Sequence, residues 1–348
     1  MDHPFAGQRA LVVGGAGFVG SNLVHELMDQ GADEILVVDN LLSSERANVL
    51  NTPEVTFIEG SIADDAVLAR LRDDLDYVFH LATFHGNQNS IHDPLADHAN
   101  NTYTTLRLYE RIKGFRRLKK VVYSGAGCTA AEKTFGPARP TMEDDPISLR
   151  HDSPYQISKL IGEMYSYYYA AQHSLPVVVA RFQNVYGPGE ILGAGCWRGT
   201  PATVWRNVTP TFAYLALKGR PLPVEGRGEA TRDFVYVGDI VSGLLACAAR
   251  GTVGQAYNLA SGVETPIRDL AHLVNRLTDN PAPIDWRPQR GWDRSGKRFG
   301  STIKTEHKLG FSAQVNLEEG LRRTIAWTRE NISLIEACIQ RHSMHMAT

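Results

Sequence analysis

Tyr155 and Lys159 stand four residues apart in the segment Asp152-Ser153-Pro154-Tyr155-Gln156-Ile157-Ser158-Lys159. On a helix that spacing sets both side chains on one face. A phenol is a poor base near neutrality, with an ordinary pKa of about 10. A neighbouring ammonium favours the phenolate and lowers that value. Such a pair could take a proton from an alcohol while hydride leaves the adjacent carbon. The hydride needs an acceptor, and the N-terminus offers a place for one. Gly14, Gly17 and Gly20 follow the apolar run 10–13, with Phe18 and Val19 between the last two. Glycine permits a tight turn and the close approach of a pyrophosphate, and a helix start adds free N–H groups. A second apolar run, 34–38, leads into Asp39 and Asn40. A carboxylate there, about twenty residues past the last glycine, would bond ribose hydroxyls and repel a 2′-phosphate. That favours NAD over NADP.

These residues must be held by elements. Ser153 is an N-cap type, Pro154 suits the first helical position and Gln156 completes a capping box, so a helix is expected from 154. A helix over 21–30 is expected behind the glycines. Short β-branched runs at 10–13, 34–38, 55–59, 77–81, 120–124 and 177–182 read as strands. They lack polar alternation, as strands covered on both faces do. Their spacing with helices between predicts an α/β fold with a doubly wound parallel sheet. From about Gly187 the chain becomes rich in Pro and Gly, then returns to strand and helix at 232–261. The expected organisation is a dinucleotide-binding domain of residues 1–184 and 232–261, with a discontinuous substrate region of 185–231 and 262–330. A C-terminal helix end and loose tail would occupy 331–348.

Bulk properties narrow the function. The chain has 348 residues, 43% of them hydrophobic, and a formal net charge of -2. That supports a substantial core and gives no basic footprint for nucleic acid or anionic membrane. Cys128, Cys196, Cys247 and Cys338 are scattered, without metal-ligand spacing, so no metal is expected and a reducing compartment fits. With no signal peptide or apolar span visible, a cytoplasmic protein is expected.

Together these residues resemble the extended short-chain dehydrogenase/reductase family, in particular its NAD-dependent nucleotide-sugar epimerases and dehydratases. The resemblance covers about residues 8–330. VFHLAT (78–83) resembles the cofactor segment of the family's fourth strand, which would bring Leu81, Ala82 and Thr83 to NAD. Asp97 and Asn101 fit the family's Asp then Asn four later, and Asn101 would serve the cofactor site. ARFQNVYGPGE (180–190) and TRDFVYVGDI (231–240) match two further hallmarks. The resemblance implies that Asn184 and Asn207 contact a sugar-nucleotide diphosphate and that Arg232 and Arg290 neutralise it. It also implies that Lys159 holds the nicotinamide ribose. It further implies a homodimer through a four-helix bundle formed by 94–113 and 154–173. The second of these carries more apolar and aromatic residues than one buried face requires.

The chain departs from the family in places. Val13 replaces a usual Thr. Ser61, followed by Ile62, replaces an Asp that contacts adenine. The family's third catalytic residue, a Ser or Thr, aligns without gaps to Ala126. A rearranged loop leaves Ser124, Cys128 or Thr129 to supply the group, with Thr129 preferred. A dehydratase needs Asp-Glu directly after its Thr; here Ala130, Ala131 and Glu132 follow Thr129. Glu132 leaves a decarboxylase open. The resemblance therefore implies an isomerase of carbohydrate biosynthesis: a nucleotide-sugar epimerase, at C4, working through a transient ketosugar. The alternatives are a decarboxylase or 4,6-dehydratase of the same fold, and a non-catalytic NAD-binding regulator.

Overall fold

The computed structural model describes residues 4–131, 134–294 and 296–346. Seven parallel strands form the central sheet: β1 (Arg9–Val13), β2 (Glu34–Asp39), β3 (Val55–Glu59), β4 (Tyr77–His80), β5 (Lys120–Ala126), β6 (Val177–Phe182) and β7 (Ala256–Leu259). Their order is β7-β6-β5-β4-β1-β2-β3, so the chain winds outward in both directions from β1. The seam between β1 and β4 is where such sheets open a ligand crevice beyond the strands' C-terminal ends. Leu11, Val12, Val78, Phe79, Val121 and Val122 are fully buried. That accounts for the unalternating apolar runs, since helices cover both faces.

Two of the apolar clusters lie on opposite faces of this sheet. One joins Leu23, Leu27 and the helix Val237–Arg250 to alternate residues of the strands; the other joins Leu108, Ile112 and Tyr169 to the intervening ones. A third cluster, around Phe212, Leu222, Leu270 and Leu321, is built from the C-terminal half of the chain. There a short parallel pair joins Leu222–Glu225 to Ile284–Arg287.

The boundaries differ instructively from expectation. The first helix spans Phe18–Asp29, three residues earlier than the apolar pattern suggests. Gly17 is its extended N-cap, so Phe18, Val19 and Gly20 form the first turn and their N–H groups lack intrahelical partners. Residues 94–112 are not one regular helix. They run as Pro94–Asp97, a π-turn over His98–Tyr103, and Thr104–Ile112. Part of the expected loose tail is packed: His342 is 3% exposed, its Nε2 lies 2.9 Å from Gly193 O, and Trp197 stacks on His345. The helical stretch 317–340 breaks at Asn331. Among the described residues, no helix is long and apolar enough to cross a membrane.

Candidate active site

One cleft runs along the C-terminal edge of the sheet and joins the glycine turn to Tyr155 and Lys159. The turn is built for close approach. Gly14 has φ +86°, and a Cβ there would lie 2.6 Å from Ala82 N. A Cβ on Gly20 would lie 2.1 Å from Gly14 O. Gly17 is freer, with a Cβ contact of 3.1 Å to the same oxygen. Asp39 ends β2 and faces the cleft. Its Oδ2 accepts from Ala16 N at 3.0 Å, and its Oδ1 accepts from Leu41 N and Ser44 Oγ. Burial raises its carboxyl above the ordinary value, against these bonds. Asn40, Ser61, Ile62, Leu81, Ala82 and Thr83 complete this end. Ser61 Oγ accepts from Ala63 N, so the residue caps its own turn.

Tyr155 and Lys159 lie on the helix Pro154–His173. Ser153 caps it through Gln156 N, as the sequence suggests. Lys159 is 4% exposed. Its Nζ lies 2.9 Å from Ser124 O and 3.2 Å from Ser124 Oγ. Burial lowers its pKa to about 8, with Asp97 and Cys128 opposing. The expectation that the ammonium lowers the Tyr155 phenol needs correction. Burial pushes that phenol well up, Cys128 and Asp97 add to it, and the group opposing them is Arg298. The physical reason is burial, the largest of these influences, while the Lys159 ammonium rests on Ser124. The Tyr155 ring meets His85 edge-on, with centroids 5.9 Å apart. One turn beyond Lys159, Glu163 forms a buried ion pair with Arg181 of β6, at 2.5 Å. That pair fixes the helix to the sheet.

These residues can hold a dinucleotide. The turn has no room for a side chain at Gly14 or Gly20, the helix start presents orphan N–H groups, and Asp39 lines the same cleft, where it could receive ribose hydroxyls.

The NAD dependent epimerase/dehydratase family matches residues 10–260. The chain belongs to that family. It is 32% identical over 330 residues to the UDP-glucose 4-epimerase of Mycolicibacterium smegmatis, covering 92% of this chain and 98% of the relative. The Bordetella bronchiseptica enzyme WbmF, solved in complex with NAD+ and UDP, is 59% identical with a TM-score of 0.90, covering 99% of each chain. The Thermotoga maritima UDP-glucose 4-epimerase, solved with UDP-glucose, is 31% identical with a TM-score of 0.83, covering 93% of this chain and 100% of that one.

Against the family pattern, several expected site residues sit elsewhere. Thr129 does not face the cleft. It is 2% exposed, and its hydroxyl donates to Ala126 O at 2.7 Å, closing a 3-10 turn. Ser124 does line the cleft, but its hydroxyl donates to His80 O at 2.9 Å while receiving Lys159. It therefore positions the lysine. Ala126 and Cys128 face the cleft instead. Glu132 lies outside the described residues. Asn101 is buried and bonds protein on every side: its Oδ1 accepts from Thr83 Oγ1 and Phe84 N, and its Nδ2 donates to Asp97 Oδ1. It shapes the cleft wall without facing it.

Toward the other end, Asn184 and Asn207 line the cleft, and Asn207 donates to Glu190. Arg232 is held by its own strand and by residue 296, with Nη1 2.7 Å from both Thr231 O and Gly296 O. Arg290 lies in an adjoining recess, paired with Glu225 and near Trp292. Neither arginine reaches the main cleft; Arg298 and Arg206 do. Sequence reasoning missed both, and also His85 and Glu190. Burial raises Glu190 to about 7, while Asn207 and Arg206 oppose. None of these belongs to a regular spacing; GPGE ended a recognised motif, and its last residue was the available signal.

Proposed function

We propose that this chain is an NAD-dependent nucleotide-sugar epimerase acting at C4. The observation that carries the reading is one cleft holding the glycine turn, Asp39, Tyr155 and Lys159. NAD, when bound, supplies the hydride acceptor and returns the hydride. Gly14, Gly17 and the first turn Phe18–Gly20 bind the pyrophosphate, and Asp39 receives ribose hydroxyls. Lys159 binds the nicotinamide ribose. Tyr155 Oη takes the C4 hydroxyl proton and later gives it back to the same oxygen. The positive nicotinamide would oppose the burial that raises the phenol. Asn184 and Asn207 orient the diphosphate. Cys128 is the remaining candidate for a third group, as a weak thiol donor.

The similarity to two UDP-glucose 4-epimerases supports epimerisation, and the UDP bound to WbmF supports a nucleoside diphosphate. The substrate recess beside Arg290 would take the nucleotide. We also propose a homodimer through the helices of 94–112 and 154–173, where Leu95, Ile157, Met164 and Tyr168 are exposed; sedimentation of a monomer at micromolar concentration would refute it.

The test is incubation of the NAD-loaded protein with nucleotide hexoses and hexuronates, read by mass and stereochemistry. An isomer of unchanged mass is expected. Loss of water or carbon dioxide would assign a dehydratase or decarboxylase, and no conversion of any substrate would end the proposal. Tyr155→Phe should retain NAD and lose turnover by about 100-fold or more; a regulator would be indifferent.

A further inference from the structure

Asp97 bears a buried carboxyl to which the proposed reaction gives no task. It is 1% exposed and ends the short helix Pro94–Asp97, where the chain widens into the π-turn His98–Tyr103. Such turns often mark functional positions, because the extra residue re-aims side chains. Here Asp97 and Asn101 both face the helix of Tyr155. Asn101 Nδ2 lies 2.8 Å from Asp97 Oδ1 and 3.0 Å from Ser158 Oγ. Ser158 Oγ donates to Tyr155 O at 3.1 Å. Ser158 precedes Lys159 in the chain. Asp97 thus joins the catalytic helix through neutral partners, while the two charges it feels are Lys159 and, from its own turn, His98.

Lys159 is in a matching position. Its hydrogen-bond partners are the carbonyl and hydroxyl of Ser124, both neutral. The charges acting on it are Asp97 and, from the turn after β5, Cys128, and its Nζ also lies over the Tyr123 ring of β5, 5.3 Å from the centroid. His80 and His85, at the end of β4 and just beyond, feel the lysine and are kept neutral by burial, each lowered to about 3. A buried ammonium without a counter-charge would tend to lose its proton. A carboxylate buried beside the same helix opposes that loss, because charges removed from water are poorly screened.

We propose that Asp97 is a positioning residue whose negative charge holds Lys159 as an ammonium and so sets the pH range in which Tyr155 works. This rests on the reading of Tyr155 and Lys159 as the catalytic pair. The sign follows from the neighbours. Asp97→Asn removes a charge that supports the Lys159 proton, so the lysine titrates lower. It also removes a charge that raises the Tyr155 phenol, which is faced in addition by Cys128 and Arg298. Both limbs of the rate profile therefore move toward acid. Burial raises the Asp97 carboxyl to about 6. Below that pH the natural residue is itself neutral, and the difference between the two proteins vanishes.

The experiment measures kcat and NAD affinity against pH, together with tyrosinate absorbance, for the NAD-loaded wild type, Asp97→Asn and Asp97→Glu. The expected result is near-equal kcat below pH 6 and a shift of both limbs by about one pH unit in Asp97→Asn. Asp97→Glu should restore the wild-type profile. An equal loss at every pH, with limbs unmoved, would mean a structural role and overturn the proposal. If Asp97→Asn does not fold, carboxyl NMR of the unaltered protein decides. An aspartate carboxyl resonance titrating near 6, replaced in Asp97→Glu by a glutamate resonance that titrates in the same range, supports the proposal; none between 5 and 7 overturns it. Retained turnover in Tyr155→Phe would instead defeat the catalytic reading itself.

Discussion

Lys159 reaches back to β5, the strand that precedes its own helix, and rests on Ser124, 2.9 Å from the carbonyl oxygen and 3.2 Å from the hydroxyl. The serine hydroxyl is itself anchored on His80 O. The lysine is therefore positioned by β4 and β5 together, and the serine acts through it. Ser124→Ala keeps the carbonyl partner and removes the hydroxyl. A hydrogen bond to a charged group is worth about 1.5–3 kcal/mol. Turnover should fall roughly 10- to 100-fold, with NAD affinity changed less than threefold. Isothermal titration with NAD and steady-state kinetics check this. A Ser124→Ala enzyme within twofold of wild type would show that the carbonyl alone suffices.

The buried lysine also makes stability and activity respond oppositely to pH. Its folded pKa of about 8 lies below the ordinary 10.5. Between those values the unfolded chain binds more protons than the folded one, so this group's contribution to stability rises with pH. It is least favourable below about 8, where the folded protein must carry the buried charge. The activity that needs the ammonium falls over the same window. In the ligand-free protein, the Tm of wild type minus that of Lys159→Met should therefore increase from pH 8 to 10. A constant difference would mean that the lysine titrates normally.

The parts of this site that repeat along the chain were legible in the sequence. Gly14, Gly17, Gly20 and Asp39 announce themselves because each depends on its own backbone and on a strand that follows within one unit. Tyr155 and Lys159 share a helix, so their spacing suffices. The sequence does not show the early start of the first helix, because Phe18 and Val19 read as turn residues; what they bring to the cleft is unpartnered backbone N–H. Thr129 misled for a related reason. A hydroxyl's worth depends on where it points, and a 3-10 turn directs this one to Ala126 O. Asn101 has the right neighbours in sequence, but the π-turn spends its amide on Thr83, Phe84 and Asp97. Arg206, His85 and Arg298 come from three distant segments. Only the closed fold brings them to one cleft.

The three glycines differ in what they tolerate. Gly20→Ala drives a methyl into Gly14 O at 2.1 Å, with rigid backbone on both sides. The turn must open, and NAD binding should be lost with a fall in stability of about 1–3 kcal/mol. Gly17→Ala meets the same oxygen at 3.1 Å, which a small shift relieves. It should fold with a Tm close to wild type and bind NAD roughly tenfold more weakly, because the methyl stands where the pyrophosphate approaches. Parallel thermal melts and NAD titrations separate the two. If Gly17→Ala binds NAD as wild type does, the pyrophosphate does not approach that residue.

The C-terminal helix reaches the cofactor end of the cleft through an intermediate segment. Cys196 N donates to Leu42 O at 3.0 Å, Gly195 N donates to Glu45 Oε1, and Arg206 Nη1 donates to Ser43 O. Leu42 and Ser43 line the cleft beside Asp39. The other side of that segment is held by His342 on Gly193 O, while Arg341 pairs directly with Glu45 of the 42–45 loop. The two anchors should not be equal. Arg341 is half-exposed, and such an ion pair contributes about 0–1 kcal/mol. His342 is buried, so His342→Ala leaves a carbonyl and a cavity, at about 1–3 kcal/mol. Arg341→Ala should leave NAD affinity within about twofold. His342→Ala should weaken it about three- to tenfold by loosening residues 42–45, while kcat at saturating NAD stays near wild type. Stopped-flow release of NAD distinguishes them: faster release in His342→Ala alone is expected, and equal release rates in both variants would detach the C-terminal helix from cofactor retention.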